Sequence, residues 1–99
     1  MDTSTIFLDD VVSGTFTNTE GAKLYVALAP YLATGTPIRL SLRGASPMSS
    51  SFLNSSIGDL IDYYGIAALR RSLKLVDYVP SHAAAIKKYV DDLTALQAA

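Results

Sequence analysis

The chain contains no cysteine and a single histidine, His82. The absence of cysteine excludes disulfide bonds, thiolate metal sites and cysteine nucleophiles, and it is compatible with a reducing cytoplasm. Nor does the sequence contain a cluster of histidine and acidic residues at the spacing typical of metal ligands. We therefore expect a protein that uses neither a metal ion nor an organic cofactor.

Neither sign of charge is in excess, since eight lysines and arginines face nine acidic residues and the formal net charge is -1. Proteins that bind nucleic acids usually carry a basic surplus, because phosphate contacts dominate their affinity. The densest basic cluster is formed by Arg70, Arg71 and Lys74. Because aspartates elsewhere offset this cluster, we interpret it as a solvated face and expect no nucleic-acid partner.

Long hydrophobic runs are also missing. No stretch approaches the length of about 20 apolar residues that a membrane-spanning helix needs, and Met1–Thr5 lacks the basic region that opens a secretory signal peptide. We expect a cytoplasmic protein without membrane contact. An apolar fraction of 49% supplies a hydrophobic core for one domain, residues 1–99, with a frayed tail at residues 95–99.

Sequence motifs of common enzymes do not occur. The chain has no glycine-rich dinucleotide motif, no P-loop and no Gly-x-Ser-x-Gly elbow. A serine hydrolase would need His82 oriented by an acid, and no such pattern is present, so we interpret His82 as a surface residue. Asp59 and Asp62 lie three residues apart, but two carboxylates without further ligands are typical of a solvated face. We expect no enzymatic activity.

The pattern of apolar residues predicts strands that alternate with helices. Strands are expected at residues 5–8, ended by Asp9 and Asp10, and at residues 38–42 and 73–77. A capping box formed by Thr17 and Glu20 predicts the start of the first long helix, and Pro80 fits the first turn of the last one. This order predicts an α/β fold with a small, mostly parallel or mixed sheet packed with helices, in βαβαβα order.

Three consecutive serines follow the second predicted strand. Ser49, Ser50 and Ser51 stand at a predicted helix start, where free N–H groups and the helix dipole favour an anion. One interpretation is purely structural, because serine is a preferred N-cap residue. A cap needs only one serine, however, so phosphorylation, recognition by a partner and binding of a small anion remain open as hypotheses.

Several short segments resemble STAS-like domains of the DUF4325 type, which are distantly similar to anti-sigma-factor antagonists. The resemblance covers most of the chain and depends on Thr19–Leu24, residues 38–42, Met48–Leu53 and Leu73–Asp77. It implies a small regulatory domain that binds another protein.

The resemblance also implies a site. In the antagonists, an Asp-Ser-Ser-Gly segment carries a serine that a partner kinase phosphorylates with ATP. Here Ser50 falls at that serine, Ser49 at the aspartate and Phe52 at the glycine, while Ser41 replaces an acidic residue of the preceding strand. The resulting hypothesis is a partner-switching antagonist controlled by a kinase-type ATPase. Its phosphorylation candidate is Ser50, and its partner-binding residues are Met48, Ser49, Ser50, Ser51 and Phe52. The alternative is a small-anion or nucleotide-binding domain that uses the helix start at Ser49–Ser51.

Overall fold

A three-stranded parallel sheet organises the chain, whose computed structural model describes residues 4–98, with side chains through residue 95. The strands lie side by side in the order β1 (Ser4–Phe7), β2 (Ile38–Ser41) and β3 (Leu73–Val76). The prediction of an α/β fold is confirmed, and each predicted strand exists within a residue or so of its predicted limits. Helices fill the connections between the strands.

Six α-helices and one π-helical segment accompany the sheet within the described residues. They are α1 (Leu8–Val11), α2 (Asn18–Thr34), α3 (Ser50–Leu53), the π-helical segment (Asn54–Gly58), α4 (Asp59–Tyr64), α5 (Ile66–Ser72) and α6 (Pro80–Ala98). The short α1 lies where the sequence predicted only the end of β1 at Asp9 and Asp10. Acidic residues in a first turn complement the helix dipole, so these two aspartates fit a helical turn as well as a strand end.

Local signals set the ends of α2. The Thr17 hydroxyl accepts a hydrogen bond from the Glu20 N–H at 3.2 Å, as the capping box predicts. The reciprocal bond of the capping box is not made, because the Glu20 carboxylate accepts from the Ser13 N–H at 2.9 Å instead. At the other end Gly35 adopts a left-handed conformation with φ 68°, which only glycine reaches without steric cost.

The core lies on one face of the sheet. Because alternate residues of a strand share a face, the sequence predicts that Ile38, Leu40 and Leu42 point into the core. All three are almost completely buried, which confirms this alternation. On the other face, Arg39 pairs in register with Thr5 of β1 and Lys74 of β3, and all three residues are exposed. This part of the second face is open to solvent.

The helical spacing of the apolar residues from Leu53 to Tyr64, the apolar stripe, predicts one amphipathic helix that ends at Gly65. The structure instead divides this stretch into α3, the π-helical segment and α4. The Ser56 hydroxyl donates to the Phe52 carbonyl at 2.7 Å, and the Asp59 N–H donates to the Asn54 carbonyl five residues earlier. A side-chain hydroxyl bonded to the carbonyl four residues back competes with the helical ladder and distorts it. The predicted burial of the stripe is nevertheless confirmed for Leu53, Ile57, Leu60 and Ile61.

Close packing of α2 against the π-helical segment makes Gly21 sensitive to substitution. A Cβ atom at this position would stand 2.6 Å from the Phe52 carbonyl oxygen and 2.7 Å from Ser55 Cβ. We expect Gly21→Ala to destabilise the protein by about 1–3 kcal/mol, because overpacking outweighs the better helix propensity of alanine. Thermal and urea melts measure this loss. Gly14→Ala is the control, since nothing lies within 4 Å of its Cβ position. Equal stability of the two variants would contradict the packing.

The last helix, α6, continues through Ala98, and Ala99 lies outside the described residues. The frayed tail expected at residues 95–99 stays a prediction. Across residues 4–98, no helix combines the length and the apolar character that crossing a membrane requires.

Candidate functional site

The serine segment, residues Met48–Phe52, lies at the end of the sheet where ligands of α/β proteins are most often found. Its loop leaves the carboxyl end of the central strand, β2, and runs into α3. Hydrogen bonds connect this loop to the segment that follows α1. The Ser49 N–H donates to the Thr15 carbonyl at 2.9 Å, and the Thr15 hydroxyl donates to the Pro47 carbonyl at 2.8 Å. These bonds hold the start of α3 in a fixed position.

Ser49 is the residue that caps α3. Its hydroxyl accepts from the Phe52 N–H at 3.1 Å and donates to the Phe16 carbonyl at 2.7 Å. Its own carbonyl accepts from the Leu53 N–H at 3.0 Å. The structural interpretation is therefore confirmed for Ser49, whose hydroxyl donates one hydrogen bond and accepts another within the chain.

The other predicted residues of the segment divide into exposed and buried ones. Ser50 and Ser51 are exposed, and within the described residues their hydroxyls form no hydrogen bond. Met48 is partly buried against the core, and Phe52 is completely buried. The Phe52 side chain therefore supports the segment from below. A role in partner binding stays a prediction for Met48, Ser49, Ser50, Ser51 and Phe52.

An exposed aromatic residue next to the segment was missed at the level of sequence. Phe16 is 63% exposed, and its carbonyl binds the Ser49 hydroxyl. It immediately precedes the cap residue Thr17, where an apolar side chain usually packs against the fourth residue of the helix. That residue is Gly21, which offers no side chain, so the Phe16 ring stays in solvent. We call Phe16, Ser50 and Ser51 the serine face.

Charged groups of both signs lie near the segment that precedes α2. Accepting the Ser13 N–H holds the pKa of the Glu20 carboxyl below its ordinary value, and the Lys23 ammonium at 3.2 Å lowers it further. Asp9 lines a cavity of about 60 Å³ together with Leu8, Val12, residues 13–15 and 44–46. No lysine or arginine lines this cavity within the described residues. The cavity therefore does not favour an anionic ligand.

Because the pKa of the Glu20 carboxyl is lowered in the folded protein, we expect the stability of the protein to depend on pH. The bonds of this carboxylate stabilise the protein above the pKa of the unfolded chain, about 4.3, and this stabilisation is lost as the pH falls through the folded-state value. We expect Glu20→Gln to melt below the wild type at neutral pH. In acid the two melting temperatures should converge, because the wild-type carboxyl is then neutral as well. A difference that persists unchanged in acid would show that charge is not the cause.

A second polar contact lies at the same end of the sheet. The Ser41 hydroxyl, which is completely buried, donates to Asp77 Oδ2 at 2.9 Å. Asp77 follows β3 and has φ 53°, a left-handed conformation in which aspartate is found more often than most residues other than glycine. The resemblance placed Ser41 at the position of an acidic residue, and here a carboxylate comes to that position from the neighbouring strand. Sequence reasoning did not single out Asp77.

The remaining candidates lie apart from the serine segment in the chain. His82 is half-buried in the first turn of α6, and Asp59 and Asp62 are exposed on α4. Burial raises the pKa of the Tyr89 hydroxyl, and the charges of Asp59 and Asp62 raise it further. Across residues 4–98, no group of three or more histidine and acidic side chains is placed to hold a metal ion. The absence of a cofactor stays a prediction.

Comparison with known families identifies the fold family. A family model described as a STAS-like domain of unknown function (DUF4325) matches residues 20–83, well over half of the chain. The chain belongs to this family. The resemblance stated from the sequence is thereby confirmed, and the matched range of the STAS-like domain includes β2, β3 and the serine segment. Phe16 and β1 precede the matched range. Neither the curated proteins nor the solved structures contain a match to this chain.

Proposed function

We propose that this STAS-like domain is a small cytoplasmic regulatory module, without enzymatic activity, that binds another protein through the serine face. The observation that supports the proposal most directly is that only one of the three serines has a structural role. Ser49 caps α3 by accepting a hydrogen bond from the Phe52 N–H. The exposed Ser50 hydroxyl forms no hydrogen bond within the described residues and is therefore not needed for the cap. A hydroxyl in that position is accessible both to a partner and to a modifying enzyme.

The composition of the serine face supports contact with a protein. The ring of Phe16 offers an exposed apolar anchor, and aromatic residues are enriched in protein interfaces and in their energetic centres. Ser50 and Ser51 offer small, uncharged polar groups beside it. Because Phe52 and Ser49 fix the backbone beneath, little ordering entropy is lost when a partner binds.

The finer proposal is a switch in which a kinase-type ATPase phosphorylates Ser50. A phosphate adds about 1.5 to 2 negative charges. The helix start tolerates this charge, because the first N–H groups of a helix lack intrahelical partners. A partner that covers Phe16 would instead have to desolvate or pair the new charge. Phosphorylation therefore weakens partner binding while the fold is kept.

Binding of a small anion or nucleotide at the same helix start is the second hypothesis. A cavity that Ala45 and Ser46 of this loop line has a volume of about 60 Å³, and Asp9 lines it as well. Sites for small organic ligands usually measure about 300 to 1,000 Å³. The size and the charge of this cavity therefore favour the protein partner over a bound nucleotide.

A pull-down from a cell extract followed by intact-mass measurement tests the proposal. We expect the immobilised wild-type chain to retain a protein at a stoichiometric ratio and Phe16→Ala to lose it. Incubation of the complex with ATP should add the mass of one phosphate to the wild type and none to Ser50→Ala. A retained small molecule without a stoichiometric protein would support the second hypothesis and contradict ours.

A further inference from the structure

Four cationic side chains converge at the opposite end of the sheet from the serine face. Arg39, Arg70, Arg71 and Lys74 are half of the eight lysines and arginines of the chain. They line one concavity of about 220 Å³ at the amino ends of β2 and β3, beside the end of α5. Its other lining residues are Pro37, Ile38, Ser72 and Leu73. No acidic side chain lines it among the described residues.

Two of these cations lie side by side on neighbouring strands. Arg39 and Lys74 are register partners in the parallel pair of β2 and β3, and both are exposed. Partners in register place their side chains on the same face, where like charges repel and destabilise the sheet. The ion pairs within residues 4–98 involve Lys23, Lys87 and Lys88 and therefore leave this repulsion in place.

The two arginines of α5 have structural roles that explain part of the cluster. Arg70 and Arg71 lie in the last turn of α5 and complement its dipole. The Arg71 guanidinium also approaches Gly35 at the end of α2, with Nε 3.6 Å from the Cβ position of the glycine. Arg70 contributes, after Lys87, to lowering the pKa of Asp91. None of these roles accounts for the pair of Arg39 and Lys74.

We propose that this concavity binds a small ligand that carries a diphosphate group. One phosphate would lie between Arg39 and Lys74, where its negative charge would attract both side chains and offset their mutual repulsion. The second would bind the guanidinium of Arg70 or Arg71, whose planar donors match phosphate oxygens. The volume of about 220 Å³ lies below the usual range for organic ligands, which suits a ligand as small as pyrophosphate. The net charge of -1 disfavours a long polyanion that would also cover the rest of the surface. The site is independent of the serine face.

Calorimetric titration of the full chain with inorganic pyrophosphate tests the proposal. Arg39→Gln/Lys74→Gln is the site variant, and Lys23→Gln/Lys88→Gln is the control that removes the same number of charges outside the concavity. We expect the site variant to bind pyrophosphate at least about tenfold more weakly than the wild type and the control to bind within about twofold. Titration with ADP distinguishes the sources of the diphosphate: affinity above that of pyrophosphate identifies a nucleotide, and lower affinity a ligand without a base.

A thermal melt without ligand separates loss of binding from loss of folding. Because the site variant removes the repulsion between Arg39 and Lys74, it should melt at or above the wild-type temperature. No detectable binding of pyrophosphate to the wild type at about 1 mM would overturn the proposal, as would an equal loss in the control. Tighter binding of duplex DNA than of pyrophosphate, lost in the same site variant, would also overturn it and would assign the concavity to nucleic acid.

Discussion

Phe52→Ala is expected to lower the free energy of unfolding by about 3–5 kcal/mol, the range found when a buried aromatic side chain is truncated. The ring is completely buried and supports the start of α3 from below. Its backbone is fixed as well, since its N–H donates to Ser49 and its carbonyl accepts from Ser56. The rigid surroundings cannot collapse onto the vacated volume, so a cavity remains under the serine face. Urea denaturation followed by circular dichroism measures the loss.

Phe16→Ala is the matched control, because it removes the same side chain from an exposed position. We expect its stability to stay within about 0.5 kcal/mol of the wild type, as for most surface substitutions. Binding of the protein partner should nevertheless weaken, since Phe16 is the apolar part of the serine face. If Phe52→Ala were no less stable than Phe16→Ala, the burial of Phe52 would be wrong.

Leu40→Ala is expected to cost about 2–5 kcal/mol. Leu40 lies in the middle of the central strand and is 1% exposed, with Ile6 and Leu75 as its register partners on the two sides. Val26→Ala is a suitable control, because Val26 is 69% exposed on α2 and alanine has the higher helix propensity. A loss below about 0.5 kcal/mol in urea denaturation of Leu40→Ala would contradict the position of the strand.

Much of the fold could be predicted from the sequence because burial leaves a periodic signature. The alternation of Ile38, Leu40 and Leu42 predicted the central strand, and the stripe from Leu53 to Ile61 predicted the buried face of the helical run. The π-helical segment could not be predicted in this way. It accompanies a hydroxyl bond from Ser56 to the Phe52 carbonyl, and the apolar period is the same with or without that bond.

The candidate site was predicted less completely than the fold. The sequence marks three serines at a helix start but does not distinguish among them, since the distinction depends on a bond from Ser49 to the Phe16 carbonyl, 33 residues away. The exposure of Phe16 and the burial of Phe52 are also consequences of tertiary packing. Asp77 follows a different strand from Ser41, so no local sequence pattern predicts the hydrogen bond between them.

The measurement that tests the account most directly is a titration of Ser50→Asp, Ser50→Ala and the wild type against the partner from the pull-down. Ser50→Asp should keep the fold, because an acid in the first turn of a helix stabilises it by about 0.3–1 kcal/mol. Ser50→Ala removes the hydroxyl without adding charge and should bind like the wild type. Ser81→Asp places the same charge in the first turn of α6, outside the serine face, and should leave binding unchanged.

We predict that Ser50→Asp binds the partner at least about tenfold more weakly than the wild type, which corresponds to about 1.4 kcal/mol. A thermal melt of each variant confirms that the fold is intact. If Ser50→Asp binds as tightly as the wild type, a charge at this position does not control binding, and the proposed switch at Ser50 is wrong.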